Sequence, residues 1–118
     1  MGFPVEEKPV TLHQNVVYLV GRLAALPETR QMPSGDQAVI WRMVVDRPAP
    51  DTRGRVDTLS CVAWAAPARR SALKWHAGDI VEIDGALRRR FWRTPGGPVS
   101  RYEVEVCKAR RVTAAATT

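Results

Sequence analysis

Asp79-Ile-Val-Glu-Ile-Asp-Gly-Ala-Leu-Arg-Arg-Arg-Phe-Trp92 alternates with a period of two and reads as one long strand. Val81, Ile83, Gly85, Leu87 and Phe91 fall on one face. Glu82, Asp84, Ala86, Arg88, Arg90 and Trp92 fall on the other. The apolar face calls for a core beneath it. The opposite face ends in two guanidiniums and an indole, side by side and unsuited to burial. The rest of the chain is expected to build the sheet that carries this row.

The chain has 118 residues and a net charge of +6. That length makes one domain with a single modest core. The basic balance points to a polyanionic partner, whether DNA, RNA or a lipid surface. No apolar run is long enough to span a membrane. The first residues, Met-Gly-Phe-Pro-Val-Glu-Glu-Lys, lack the basic and apolar regions of a secretory signal, so a cytoplasmic, nucleoid-associated protein is expected. Cys61 and Cys107 each sit in a strand-like run, outside any metal-ligand spacing. They read as two half-buried hydrophobes in a reducing compartment, with a disulfide as the alternative.

Outward from the long strand, residues 1–13 read as a flexible arm, 14–112 as the folded domain and 113–118 as a disordered end. The alternation predicts a first strand over residues 15–26. Val17, Leu19, Gly21 and Leu23 share one face and Val16, Tyr18 and Val20 the other. With both faces largely apolar, this strand is either covered twice or meets another subunit. A loop is expected over 27–37, with Pro33-Ser34-Gly35 as its turn. A second strand is expected over 38–47, a basic loop over 48–55 and a third strand over 56–64. A helix is expected over 65–75, begun by Pro67 and stopped by Gly78. The long strand follows, then a loop over 94–99 and a last strand over 100–108. Trp41 lies on the same parity as Met43 and Val45, and Trp75 at the helix end near Leu73; both read as core.

The pattern is therefore all-β with one helix: five strands, with the helix between strands three and four. That is the element order of the five-stranded OB-fold barrel, which binds oligomers on the face of strands two and three. The basic and glycine-rich loops fall beside that face.

Two stretches carry a family resemblance. Asn15-Val-Val-Tyr-Leu-Val-Gly-Arg-Leu23, with Pro27-Glu-Thr-Arg30 and Pro33-Ser-Gly35, resembles the opening of bacterial single-stranded DNA-binding proteins. Gly78 to Trp92, followed by Arg101-Tyr-Glu-Val104, resembles their fourth and fifth strands. The resemblance implies an OB-fold that assembles as a homo-oligomer, typically a tetramer. It implies sequence-tolerant binding of single-stranded DNA in replication, recombination and repair. It places Trp92 on the tryptophan of the fourth strand and Trp64 on an aromatic at the end of the third, both stacking positions, with Arg88 and Arg90 on basic positions beside Trp92. Thr58-Leu59 stands where the family often has Trp-His, so one stacking platform is missing. The resemblance does not extend to an acidic tail ending in a Pro-Phe tip, which puts tail-mediated docking of replication and repair partners in doubt.

Binding an unpaired strand needs cations against phosphates and flat rings against bases. Arg42, Arg88 and Arg90 share parity with Trp64 and Trp92 on their own strands and form the candidate site. Arg22, Arg30, Arg53, Arg55, Arg93 and Arg101 are further candidate phosphate contacts. The alternatives are that Trp92 covers a barrel mouth, that Trp64 packs on the helix, and that the arginines are a solvated edge. His13 and His76 lie in the arm and a turn, where solvent exposure is expected. No metal, cofactor or catalytic constellation is expected: the acids are scattered, Ser60 lies within a strand, and Gly96-Gly97 joins two strands. Two other functions fit the same pattern, an OB-fold protein-interaction module and an RNA-preferring relative with weak DNA binding.

Overall fold

Among the residues that the computed structural model describes, 12–48 and 55–116, six strands and one helix succeed one another. They are β1 (Val17–Leu23), β2 (Glu28–Gln31), β3 (Gln37–Asp46), β4 (Val56–Ala63), α1 (Ala66–Ala72), β5 (Ile80–Thr94) and β6 (Gly97–Thr113). β1 pairs antiparallel with β5, and β5 with β6. β6 runs parallel to β4 at Cys61–Val104 and Val62–Glu105, and β4 is antiparallel to β3. β3 returns to β1 at Arg22–Val44 and Leu23–Met43. Five strands thus close into a ring, the OB-fold barrel, with α1 between its third and fourth strands.

β2 is the addition. It pairs with β3 inside the stretch expected to be loop. Glu28, Thr29, Arg30 and Gln31 are all exposed and carry no apolar parity, so the pattern could not reveal them as a strand.

The core follows the alternation. Leu23, Val39, Trp41, Met43, Val81, Ile83 and Val106 are buried inside the ring. Each such side chain contributes about 1.5–3 kcal/mol by leaving water. Ala68 and Ala72 let α1 approach the barrel closely, and Trp41 meets Trp75 edge to face, with centroids 5.2 Å apart. The helix is shorter than expected; Leu73 is its C-cap and is exposed.

β5 and β6 span 15 and 17 residues, far beyond the usual strand of about 5–6. Their first and last halves, respectively, wall the barrel. The rest leaves it as a two-stranded arm, which corrects the expectation that the whole apolar parity of β5 covers a core. Val81 and Ile83 are buried, whereas Leu87 and Phe91 on the same parity are exposed. The departure begins at Gly85, where the β5–β6 register shifts. A Cβ there would run into the Glu105 carbonyl, so only glycine permits that approach. Asn15 holds the arm's root: its side-chain oxygen accepts from Leu87 N at 2.8 Å and its Nδ2 donates to Leu87 O at 2.7 Å.

The arm closes on Pro95-Gly96, with Thr94 paired to Gly97 and Gly97 at φ 114°. This tight turn replaces the longer loop expected over 94–99. At the other end β6 continues past Lys108 to Thr113, and the Ala115 amide donates to Asp79 Oδ1 at 2.7 Å. On β1, Val17 and Leu19 pack on the core, whereas Tyr18 and Val20, with Val16 just ahead of the strand, are exposed. The outer apolar face is therefore uncovered in the single chain. Among the described residues, no helix is long and apolar enough to cross a membrane.

Candidate nucleic-acid interface

Alternation along β5 turns Arg88, Arg90 and Trp92 to one side of the arm. The register brings Glu103, Arg101 and Val99 opposite them on β6. Trp64, the residue after β4, reaches the same side: the Arg90 guanidinium lies over its ring, 4.8 Å from the centroid. Arg101 lies over Trp92 at 5.6 Å. Both tryptophans thus carry a guanidinium against a π-face, a pairing stabilised by the ring quadrupole. Trp92 is 44% exposed and Trp64 is half-buried at the foot of the arm.

Two clefts flank Arg90, one on the side of Glu103 and one on the side of Trp64. One, of about 420 Å³, is lined by Arg30, Arg42, Ser60, Arg101 and Glu103. The second, of about 310 Å³, is lined by Asn15, Trp64, Ala86, Arg88 and Glu105. Arg90 bridges them, touching Trp64 on one side and Glu103 on the other. The structure therefore brings together Arg30, Arg42, Trp64, Arg88, Arg90, Trp92 and Arg101.

The remaining candidates lie elsewhere. Arg22 lines a separate cavity with Val20, Val44 and Asp46. Arg93 falls on the opposite side of the arm from Trp92, because adjacent strand residues point to opposite faces. Arg55 is exposed just ahead of β4, its carbonyl accepting from the Arg47 amide at 3.2 Å. Arg53 lies outside the described residues.

Two acidic residues belong to the site and were not anticipated. Glu103 is only 6% exposed and pairs with Arg90, with Arg101 3.9 Å away. Glu105 accepts from Arg88 Nε at 2.8 Å. In sequence they alternate with Tyr102, Val104 and Val106 as any wet strand face would, and the only signal was their position opposite arginines once the register is known. These carboxylates hold the guanidiniums flat and in place before any ligand arrives. Their cost is competition, since a phosphate must share or displace them.

Cys61 lies under this floor. Burial, and secondarily the charge of Glu103, pushes its thiol up to about 12. Both cysteines are free, Cys61 buried and Cys107 exposed, which leaves a disulfide between them within the chain without support. Among the described residues no three His, Cys, Asp or Glu side chains gather as a metal site would require.

Comparison with known proteins agrees with this fold. The Single-strand binding protein family model matches residues 14–113. A single-stranded DNA-binding protein of Oceanobacillus iheyensis is 35% identical over 85 residues, covering 70% of this chain and 53% of that one. Single-stranded DNA-binding protein A of Bacillus subtilis is 32% identical over 85 residues, covering 70% and 49%. The chain thus spans about half the length of the curated relatives it matches. Among solved structures, the SSB of Plasmodium falciparum in complex with single-stranded DNA superposes with a TM-score of 0.71 at 19% identity, covering 89% of this chain and 98% of that one, a likeness of fold. With a barrel of matching topology and a family match from residue 14 to residue 113, the chain belongs to the single-strand binding protein family.

Proposed function

We propose that this protein binds single-stranded DNA with little sequence preference, without catalysing a reaction on it. The observation that carries this reading is the shared face of Trp64 and Trp92, each ring under a guanidinium and both beside the Arg30–Arg42–Arg101 cleft. Bases stack on the rings, worth about 1–3 kcal/mol each, and the arginines neutralise phosphates with release of counterions. No element of this face reads a base edge, so any unpaired sequence suits it. Such binding protects exposed strands during replication, recombination and repair, in the nucleoid of the cell.

The working unit is a homo-oligomer, most simply a tetramer. Val16, just ahead of β1, and Tyr18 and Val20 on it form an exposed row that a second copy would cover. Light scattering at micromolar concentration tests this, and a lone monomer would contradict it.

Titration with oligothymidylate at low salt tests the function. Tryptophan emission should fall markedly and a retained complex should form. Unchanged emission with no complex favours the protein-interaction module instead, and tighter binding of the matching RNA oligomer favours the RNA-preferring relative.

A further inference from the structure

We infer that the reverse side of the β5–β6 arm, built from Arg89, Phe91 and Tyr102, is a second track for single-stranded DNA, a step that rests on the function proposed above. Alternation turns Leu87, Arg89, Phe91 and Arg93 away from Trp92. The register sets Tyr102 across from Arg89, and Ser100 across from Phe91. Phe91 is 68% exposed and Tyr102 60% exposed, a large aromatic surface to leave in water. The Arg89 guanidinium lies 4.8 Å from the Phe91 centroid and 5.5 Å from that of Tyr102. Its Nη2 also donates to Ser100 Oγ at 3.2 Å, which fixes the group between the rings.

This is the chemistry of the Trp64–Trp92 side repeated, with one difference in charge. There, Glu103 and Glu105 engage the arginines. Here the paired arm residues from Leu87 to Arg93 and from Pro98 to Val104 supply no carboxylate on this face, so Arg89 and Arg93 keep their charge uncompensated. Rings flanked by bare guanidiniums match a chain of phosphates and bases better than they match an apolar protein surface. The track is also continuous with the first. Trp92 and Phe91 are consecutive, and only the two-residue turn Pro95-Gly96 separates the two sides at the tip. A strand leaving Trp92 rounds the arm and meets Phe91, so a long strand wraps the arm where a short one occupies only the first side.

The test uses the full chain and two probes: oligothymidylate of about 8 nucleotides, within the range one OB-fold covers, and one several times longer. The Phe91→Ala/Tyr102→Ala double variant should bind the short probe within about twofold of wild type. It should bind the long probe at least about tenfold more weakly and saturate at fewer nucleotides per protomer. Arg89→Ala, which leaves both rings in place, should lower the salt slope by about one on the long probe alone. Unchanged long-probe affinity and site size in both variants would overturn the inference. A changed oligomeric mass with unchanged long-probe binding would also overturn it, assigning the face to a second copy. Equal weakening on both probes would merge it with the first side. Wild-type protein that fails to bind even the short probe would instead remove the functional reading beneath it.

Discussion

The guanidinium of Arg90 lies 4.8 Å from the ring centroid of Trp64 while its Nε donates to the buried carboxylate of Glu103. One cation thus serves a ring and an acid at once. Glu103 fixes Arg90 in advance, and it also subtracts a charge from a surface meant for phosphates. Glu103→Gln should therefore separate the two effects. Chemical denaturation should show a stability loss of about 1 kcal/mol from the weakened hydrogen bonding. Titration over a salt series should show a slope steeper by about one and tighter binding at low salt.

Removing the outer platform should weaken binding without loosening the fold. Trp92 is 44% exposed and Arg88 is an exposed arm residue that pairs with half-buried Glu105, so neither supports the core. The Trp92→Ala/Arg88→Ala variant should bind oligothymidylate about tenfold to a hundredfold more weakly. Its thermal midpoint should stay within a few degrees of wild type.

Asp79 should set the acid limb of stability. Its carboxylate is held below the usual range first by the His76 amide at 2.8 Å, then by the Ala115 amide and Arg111, against the opposing effect of burial. A depressed folded-state value means stabilisation is fully present above the ordinary aspartate pKa of about 3.9 and fades as pH falls through the folded value. Asp79→Asn should cost about 1–3 kcal/mol at neutral pH, and its stability should fall less steeply than that of wild type on acidification. Thermal melts across a pH series measure both.

The two thiols should differ in reactivity. Cys107 is exposed where β6 bulges, with its Sγ 3.3 Å from Asp84 O, whereas Cys61 is buried with its thiol pushed up to about 12. A thiol reagent at neutral pH should modify one cysteine per chain in the native protein and two after denaturation.

Most of the barrel was legible because period-two alternation reports directly on inside and outside. Val81 and Ile83 faced the core as read, and Trp41 and Trp75 met there. The same periodicity carries no mark of where the barrel stops. Leu87 and Phe91 keep the apolar parity but stand on the arm, because Gly85 lets β6 cross and the pair runs on without a core beneath it. β2 escaped notice for lack of any apolar residue. The last strand was expected to end at residue 108, yet β6 runs on to Thr113, where Arg110 pairs with Glu82 and Arg111 lies 3.7 Å from Asp79. Within the site, rings and cations of shared parity were readable strand by strand. Which cations share one cleft was not, since that depends on cross-strand register: Arg30 and Arg101 joined Arg42, while Arg22 faces another cavity. The burial of Glu103 arose the same way, from arginines brought beside it by β5 and its own strand.

Photocrosslinking of the full chain to oligothymidylate, with the modified residues identified by mass spectrometry, asks most directly whether unpaired bases lie on these rings. Adducts on Trp64 and Trp92, suppressed by high salt, are the expected result. Adducts that spare both tryptophans, on a chain shown to retain the oligonucleotide, would contradict it.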